Sequence, residues 1–242
     1  MTAIGLAQRP SGASWVGRRF YLIMAIMIGA VIVAGFSRTV PDALTTPPGL
    51  PLLLHVHGAV FLSWLVLFVA QPALAIRGSL KLHRQLGGLG AVLAVLMVVM
   101  GLAATIFAIH THIVPPFFPK GVFLAMNVIG VSFFGGLVAA GVLKRREAEW
   151  HKRLMLCATT LLLGPGLGRL LPMSSFGAAA PLVMFGVQDA ILLTGPVVDL
   201  ITRRKVHPAY YWGVGVVVLS QVLTPPLGFS PPVTALVKMI AA

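Results

Sequence analysis

The sequence contains little acid and almost no cysteine. Only 5 residues are Asp or Glu, against 18 Lys and Arg, and charged residues make up 10% of the 242-residue chain. With a single cysteine, Cys157, the chain cannot form an intramolecular disulfide. It also has no P-loop and no glycine-rich dinucleotide fingerprint between a strand and a helix. These shortages exclude an ordinary soluble domain, a disulfide scaffold and the common nucleotide-binding folds.

Long apolar segments dominate the sequence instead. Hydrophobic residues make up 58% of the chain, and a helix needs about 20 apolar residues to cross a hydrocarbon core of about 30 Å. Seven segments approach or meet this length, near residues 20–36, 50–72, 86–109, 121–143, 154–171, 181–201 and 209–227. We therefore predict an all-α, polytopic transmembrane bundle of seven helices, which forms a single domain over residues 1–242.

Two interruptions of the segments are expected. Pro165 and Pro196 fall inside the fifth and sixth segments. Proline lacks the amide donor that an uninterrupted helix needs. The sequence therefore predicts a kink at each of these two positions.

The basic residues lie in alternate connections between the segments. One side has 14 of the 18 Lys and Arg residues: Arg9, Arg18, Arg19, Arg77, Lys81, Arg84, Lys144, Arg145, Arg146, Lys152, Arg153, Arg203, Arg204 and Lys205. Positive residues stay in the cytoplasm during insertion. This bias predicts a bacterial inner-membrane protein with a cytoplasmic N-terminus and a periplasmic C-terminus. The formal net charge of +13 then indicates orientation and attraction to anionic lipids at the cytoplasmic face, and does not imply nucleic-acid binding.

The first apolar segment follows a basic stretch, as the apolar part of a signal peptide would. The segment 20–36 is longer than the apolar region of about 7–15 residues in a signal peptide. No small-x-small cleavage site follows it. We expect this segment to be retained as a helix.

Three histidines stand where a segment begins on the predicted cytoplasmic side. His83 in KLHRQLGG precedes the third segment, His151 in EWHKRLML the fifth, and His207 in KVHPAYYWG the seventh. The positive end of a helix dipole and the neighbouring cations both disfavour a protonated imidazole. Neutral imidazole is the form that binds haem iron or a metal ion. The pattern predicts haem b or a transition metal on His83 and His151, with His207 as a third metal ligand; the alternative is that all three are ordinary interfacial residues.

A second group of histidines lies towards the predicted outer side. His55 and His57 are two residues apart and point to nearly opposite faces of a helix. The face of His57 also carries Phe61, Trp64, Phe68 and Gln71. We therefore predict that His57 faces the bundle as a further cofactor ligand, with Gln71 as a polar group on the same face. His110 and His112 are expected in a solvated loop.

The sixth segment contains an acid deep in the predicted membrane. Asp189, preceded by Gln188, lies about 12 Å along the helix from its outer end. An acid at that depth must be neutral, paired or in contact with a wet cavity. Arg169 is its predicted partner, either in a transport site or as a tie between the fifth and sixth helices. Asp199 is expected to be satisfied by Arg203, one helical turn further on.

Two stretches of the chain resemble a family of uncharacterised bacterial multi-pass membrane proteins. They are LHVHGAVFLSWLVLFVAQPALAIRGSLKLHRQLGGLGAVLAVLMVVMG and HKRLMLCATTLLLGPGLGR. The family has an H-R-x-L-G start to one helix, an H-[KR]-R-[LW]-M start to a later one, and an Asp followed by a basic turn and HP. The resemblance covers roughly residues 50–215 and includes His57, Trp64, Gln71, His83, Arg84, His151, Arg153, Arg169, Asp189, Asp199 and His207. It implies a membrane protein but no particular activity.

A weaker resemblance is to the transmembrane b-type cytochromes, in which histidines on neighbouring helices sandwich haem. It implies that His83 and His151 hold one haem at the inner ends of the third and fifth segments. The fourth segment contains no histidine. The second haem of a two-haem cytochrome would therefore lack a ligand pair in this chain.

Three functions are compatible with these features. The first is a His-ligated haem or metal protein with a redox role. The second is a proton-coupled carrier centred on Asp189, Gln188 and Arg169. The third is a non-catalytic assembly or lipid-binding subunit, with other membrane subunits as partners.

Overall fold

The computed structural model describes residues 13–47 and 49–242, and at residues 13–16 and 18 it describes the helix but not the side chains. Arg9 and the side chain of Arg18, both assigned to the basic side, thus lie outside the described residues. The described chain is helical, without strands. Its helices are α1 (Ala13–Phe36), α2 (Val40–Thr45), α3 (Leu52–Ile76), α4 (Leu80–His110), α5 (Lys120–Leu143), α6 (Ala148–Thr160), α7 (Gly164–Leu170), α8 (Ala180–Arg203), α9 (Pro208–Gly228) and α10 (Pro231–Ala241). The predicted all-α class is confirmed.

Five described segments are long and apolar enough to cross a membrane. They are Arg19–Phe36, Leu52–Ile76, Leu80–His110, Lys120–Leu143 and Met173–Arg203. The pair α9 and α10, which is bent by 74° at a short break, makes a sixth if it is counted as one span. The described helices therefore have the length and composition of a multi-pass membrane protein.

The predicted fifth segment, 154–171, is not one continuous α-helix. The α6 helix ends at Thr160, a 3-10 turn covers Leu161–Leu163, and α7 begins at Gly164. Pro165 lies in the first turn of α7, where its missing amide cannot continue the hydrogen bonds of α6. The expected interruption at Pro165 is confirmed, whereas α8 continues past Pro196 to Arg203.

The interrupted segment lies in the centre of the bundle. Every residue from Leu156 to Thr160 is buried, with at most 1% of its surface exposed. The α6 helix packs against α5 and α9, and α7 packs against α1. Close packing needs small residues at the crossings: a Cβ atom on Gly35 of α1 would overlap the backbone of Gly166 in α7.

The helix ends collect into two groups. The starts of α4, α6 and α9 meet the ends of α5 and α8, as side-chain contacts described below show. We call this the basic end, because its connections contain Arg77, Lys81, Arg84, Lys144, Arg145, Arg146, Lys152, Arg203, Arg204 and Lys205. The opposite end holds the starts of α3, α5 and α8.

Candidate functional site: a histidine pair at the basic end

The histidines that begin α4 and α6 are neighbours in the structure. The ring centres of His83 and His151 lie 6.3 Å apart, and the ring planes meet at 82°. Both residues are half-buried. The fold therefore brings together two imidazoles that are far apart in the sequence.

Each ring of the pair is held at Nδ1 by a backbone carbonyl. Nδ1 of His83 lies 3.3 Å from the carbonyl oxygen of Gln71, and Nδ1 of His151 lies 2.8 Å from that of Gly141. A carbonyl oxygen only accepts hydrogen bonds, so Nδ1 of each ring carries a proton and Nε2 is the atom that a ligand could use. Metal-ligating histidines commonly donate the other ring N–H to such an acceptor. Both rings thus make the Nδ1 contact that metal-ligating histidines commonly make.

The protonation of His151 follows from its surroundings. This residue precedes the segment 154–171 that is predicted to cross the membrane. Burial lowers the pKa of His151 below its usual value, and the neighbouring His83 lowers it further, although the bond to Gly141 acts in the opposite direction. The sequence predicts a neutral ring from the helix dipole and nearby cations; in the structure, burial is the main cause.

The spacing of the pair suits a single metal centre between the rings. If both Nε2 atoms faced one metal in a straight line, metal–nitrogen bonds of about 2.0–2.1 Å, with about 1 Å more from each Nε2 to its ring centre, would separate the ring centres by about 6 Å. The observed separation is 6.3 Å. Among residues 13–47 and 49–242, no group of three or more His, Cys, Asp or Glu side chains is placed to hold a metal ion. The chain therefore offers two ligands, and a metal would need its other ligands from elsewhere, as haem iron has from its porphyrin.

His207 was predicted as a third metal ligand, but the structure does not place it with the pair. Its Nδ1 accepts a hydrogen bond from the backbone N–H of Ala209 at 3.2 Å, which caps α9. Its own backbone N–H donates to Asp199 at 3.0 Å, and its ring lies 5.4 Å from the ring of Trp150. Burial lowers the pKa of His207, as does the charge of Arg153. The cap uses the Nδ1 lone pair, so this histidine orders the start of α9.

A buried arginine stands two residues after His151. Arg153 is only 2% exposed. Its Nε donates to Oδ2 of Asp199 at 2.9 Å, and its Nη2 donates to Oδ1 of the same carboxylate. Its Nη1 donates to Oε2 of Glu149 at 2.7 Å, and its guanidinium lies 5.4 Å from the ring centre of Tyr210. This arginine therefore ties α6 to α8 and α9 at the basic end.

The predicted local pairing of Asp199 with Arg203 is wrong. Asp199 is 4% exposed and accepts from Arg153 and from the backbone of His207. Arg203 instead donates to Glu149 across the helix interface. The spacing of one helical turn permits an ion pair between Asp199 and Arg203, but in the packed bundle the Asp199 side chain points towards α6.

Glu149 has an unusually acidic carboxyl group. Burial raises its pKa, but the hydrogen bonds and charges of Lys152 and Arg153 outweigh this effect and hold the pKa at about 2. Lys152 Nζ lies 2.5 Å from Oε1 of Glu149. Because the usual value is 4.5, the carboxylate stabilises the fold above about pH 4.5 and loses this effect as the pH falls towards 2.

Replacing Glu149 by Gln should therefore flatten the acid side of the stability profile. We expect Glu149→Gln to unfold at a lower temperature than wild type at pH 7 and to lose less stability between pH 5 and pH 2.5. Thermal unfolding of detergent-purified protein measures both effects. Glu147→Gln, which removes an exposed acid paired with Lys144, is the control and should keep the wild-type slope. Equal slopes for wild type and Glu149→Gln would contradict the assignment.

The predicted pair of Asp189 and Arg169 is also wrong. Oδ1 of Asp189 accepts from Nε2 of Gln221 in α9 at 2.8 Å. Arg169 is exposed at the opposite end of the bundle, where its Nε donates to the hydroxyl of Thr39 at 3.0 Å. Its guanidinium lies 4.2 Å from the ring centre of Phe36. The acid is thus tied to a neutral amide of the neighbouring helix.

Gln188 does not join Asp189 in the predicted transport site. Its side chain is 3% exposed, whereas Asp189 is half-buried and Arg169 is exposed. Successive residues of a helix point in different directions. The structure does not assemble Asp189, Gln188 and Arg169 into one site.

The predicted inward face of α3 is observed at His57. This residue is half-buried, whereas His55 is exposed. Nδ1 of His57 lies 3.2 Å from the carbonyl oxygen of Met100 in α4, and its ring lies 4.3 Å from that of Phe61. Gln71 follows His57 at a distance of about 21 Å along the helix. His57 is therefore too far away to join the pair at the basic end.

Gln71 is the predicted polar residue that adjoins the pair. Its carbonyl holds His83, while its side-chain Oε1 is buried and has no hydrogen-bond partner among the described protein groups. The same holds for Nε1 of Trp64, two helical turns earlier on α3. Buried polar atoms are normally paired, and these two favour a further polar partner inside the bundle.

The other two outer histidines lie at the end of α4 and just beyond it. Both are exposed. Nδ1 of His110 lies 3.0 Å from the carbonyl oxygen of Ile240 in α10, and Nδ1 of His112 lies 3.1 Å from Nζ of Lys120. Neither contact brings a histidine to the pair at the basic end.

Comparison of the chain with protein-family models, with curated proteins and with solved structures finds no match. The geometry of the site is therefore the basis for assigning a function. The two histidines could be selected from the sequence, where Arg153 counted only as an orienting cation and as a positive charge near His151. Gln221 and the carbonyl of Gly141 were not selected. A polar Gln221 inside an apolar segment was the available signal for the partner of Asp189.

Proposed function

We propose that this protein binds a metal cofactor, haem b iron or a transition metal ion, between His83 and His151 and has a redox role. The observation that carries the proposal is the pair of rings 6.3 Å apart, each held at Nδ1 by a carbonyl oxygen. This arrangement holds two imidazole rings by their Nδ1 atoms and leaves Nε2 of each as the atom that would bind a metal.

The chain would contribute ligation and orientation. A bound haem or redox metal would supply one-electron chemistry. His83 and His151 would bind it through Nε2, and the carbonyls of Gln71 and Gly141 would keep both rings in the required tautomer.

We further propose the placement of the site in the cell. The described helices support seven crossings of a bacterial inner membrane if α6, the 3-10 turn and α7 together make the fifth. The cations of the basic end favour the cytoplasm, with the N-terminus on that side and the C-terminus in the periplasm. The histidine pair would then lie at the cytoplasmic membrane boundary.

Purified protein tests the proposed cofactor. Detergent-purified wild-type chain should contain about one equivalent of a transition metal, or show a Soret band that shifts in an oxidised-minus-reduced spectrum. Elemental analysis distinguishes iron from other metals. A preparation that is folded, colourless and free of metal would contradict the proposal.

The other two functions differ in their support. A carrier centred on Asp189 has lost its predicted ion pair with Arg169, because Asp189 is bonded to Gln221. A lipid-binding or assembly subunit gains support from an apolar groove between α5, α6 and α9.

A further inference from the structure

An apolar groove lies between α5, α6 and α9. Its volume is about 420 Å³, which falls within the range of sites that hold small ligands. It is part-open, and its walls are apolar side chains from all three helices. Ser132 marks one limit of its lining on α5 and Lys144 the other.

The length of the groove matches one leaflet of a bilayer. Ser132 and Lys144 are separated by about 18 Å along α5, and half of a hydrocarbon core is about 15 Å thick. Gly136 lies between them, and nothing stands within 4 Å of the position that a Cβ atom would take there. An extended hydrocarbon chain could therefore run from the basic end to the middle of the membrane.

The groove is lined at the basic end, which we call its mouth, by a cation and two tryptophans. Nζ of Lys144 lies 2.8 Å from Oε1 of Glu147 and 5.4 Å from the ring centre of Trp150. Both members of that ion pair are about half exposed, with 45% and 51% of their side-chain surfaces accessible, so the pair is weak and easily exchanged. Trp212, which is 68% exposed, lines the groove from α9. Tryptophan at this level is typical of a membrane interface.

We propose that this groove binds one acyl chain of an anionic phospholipid, with the lipid phosphate at Lys144. The apolar walls match the chain, and the ammonium group at the mouth matches the phosphate. Arg145 and Arg146 follow Lys144 in the sequence and are exposed, which adds positive charge on the same side. A zwitterionic lipid would use the same groove but would gain less from these cations.

Lipid titration of the full chain tests this site. Detergent-purified protein is titrated with phosphatidylglycerol or phosphatidylcholine of identical acyl chains, and bound lipids are counted by native mass spectrometry. The first phosphatidylglycerol should bind about fivefold more tightly, since one cation near a lipid headgroup contributes about 1 kcal/mol. Gly136→Leu should weaken binding of both lipids about tenfold by filling the groove.

Matched variants separate the site from general lipid adhesion. Gly130→Leu also adds a side chain to α5 where a Cβ atom meets nothing within 4 Å, but Gly130 does not line the groove; this variant should bind as wild type does. Lys144→Gln should remove the preference for phosphatidylglycerol, and Lys205→Gln, at another exposed cation of the basic end, should retain it. Equal lipid binding by Gly136→Leu and Gly130→Leu would overturn the proposal. A second outcome would also overturn it: if a second copy of the chain covers the groove, Gly136→Leu should convert a dimer to a monomer and leave lipid binding unchanged.

Discussion

Replacing Arg153 by Met should destabilise the protein by about 3–5 kcal/mol. The substitution removes both donors of the two-pronged contact with Asp199, which is 4% exposed. A buried carboxylate without its cation is far more costly than the intact pair. Thermal or denaturant unfolding of the detergent-purified variant measures the loss.

Two further variants define the cause of that loss. Arg146→Met removes an exposed cation from the same end of the bundle and should change the stability little. The double variant Arg153→Met, Asp199→Leu removes both charges and should recover part of the stability, since an apolar pair of similar size can replace a buried ion pair. An Arg153→Met variant as stable as wild type would show that this contact does not hold α6 to α8.

The buried ion pair also bears on the histidine site. Arg153 is two residues from His151 on α6, and Asp199 receives the backbone N–H of His207 at the start of α9. These bonds hold the beginning of α6 against α8, while the His151 ring itself is held by the carbonyl of Gly141. Arg153 therefore affects the histidine site only through the position of α6.

Much of the fold could be predicted because apolar length is visible in the sequence. The predicted segment 121–143 matches α5, Lys120–Leu143, and 181–201 matches α8, Ala180–Arg203. Both are bounded by prolines or basic residues, which mark helix ends clearly. The interior of the fifth segment was harder to predict. Residues 156–160 are buried in the centre of the bundle, and an apolar sequence alone does not distinguish this central position from a lipid-facing one.

Only part of the candidate site could be predicted, because the sequence indicates the direction of each helix but not its rotation. Alternating helix directions bring His83 and His151 to one end, and alternation can be read from the cations. The hydrogen-bond and ion-pair partners of each side chain depend on how its helix is rotated about its axis. The spacing along α8 predicted Arg203 as the ion-pair partner of Asp199. In the structure, the rotation of α8 about its axis points Asp199 towards Arg153, and Arg203 pairs with Glu149.

The central claim is that His83 and His151 together hold a metal cofactor. Its most direct test compares the bound metal and the difference spectrum of wild type, His83→Ala, His151→Ala and the exposed control His55→Ala, all purified in parallel. Loss of a ligand should lower the cofactor content about tenfold or more. We predict this loss in both variants of the pair, with His55→Ala equal to wild type; unchanged cofactor content in either His83→Ala or His151→Ala would contradict the claim.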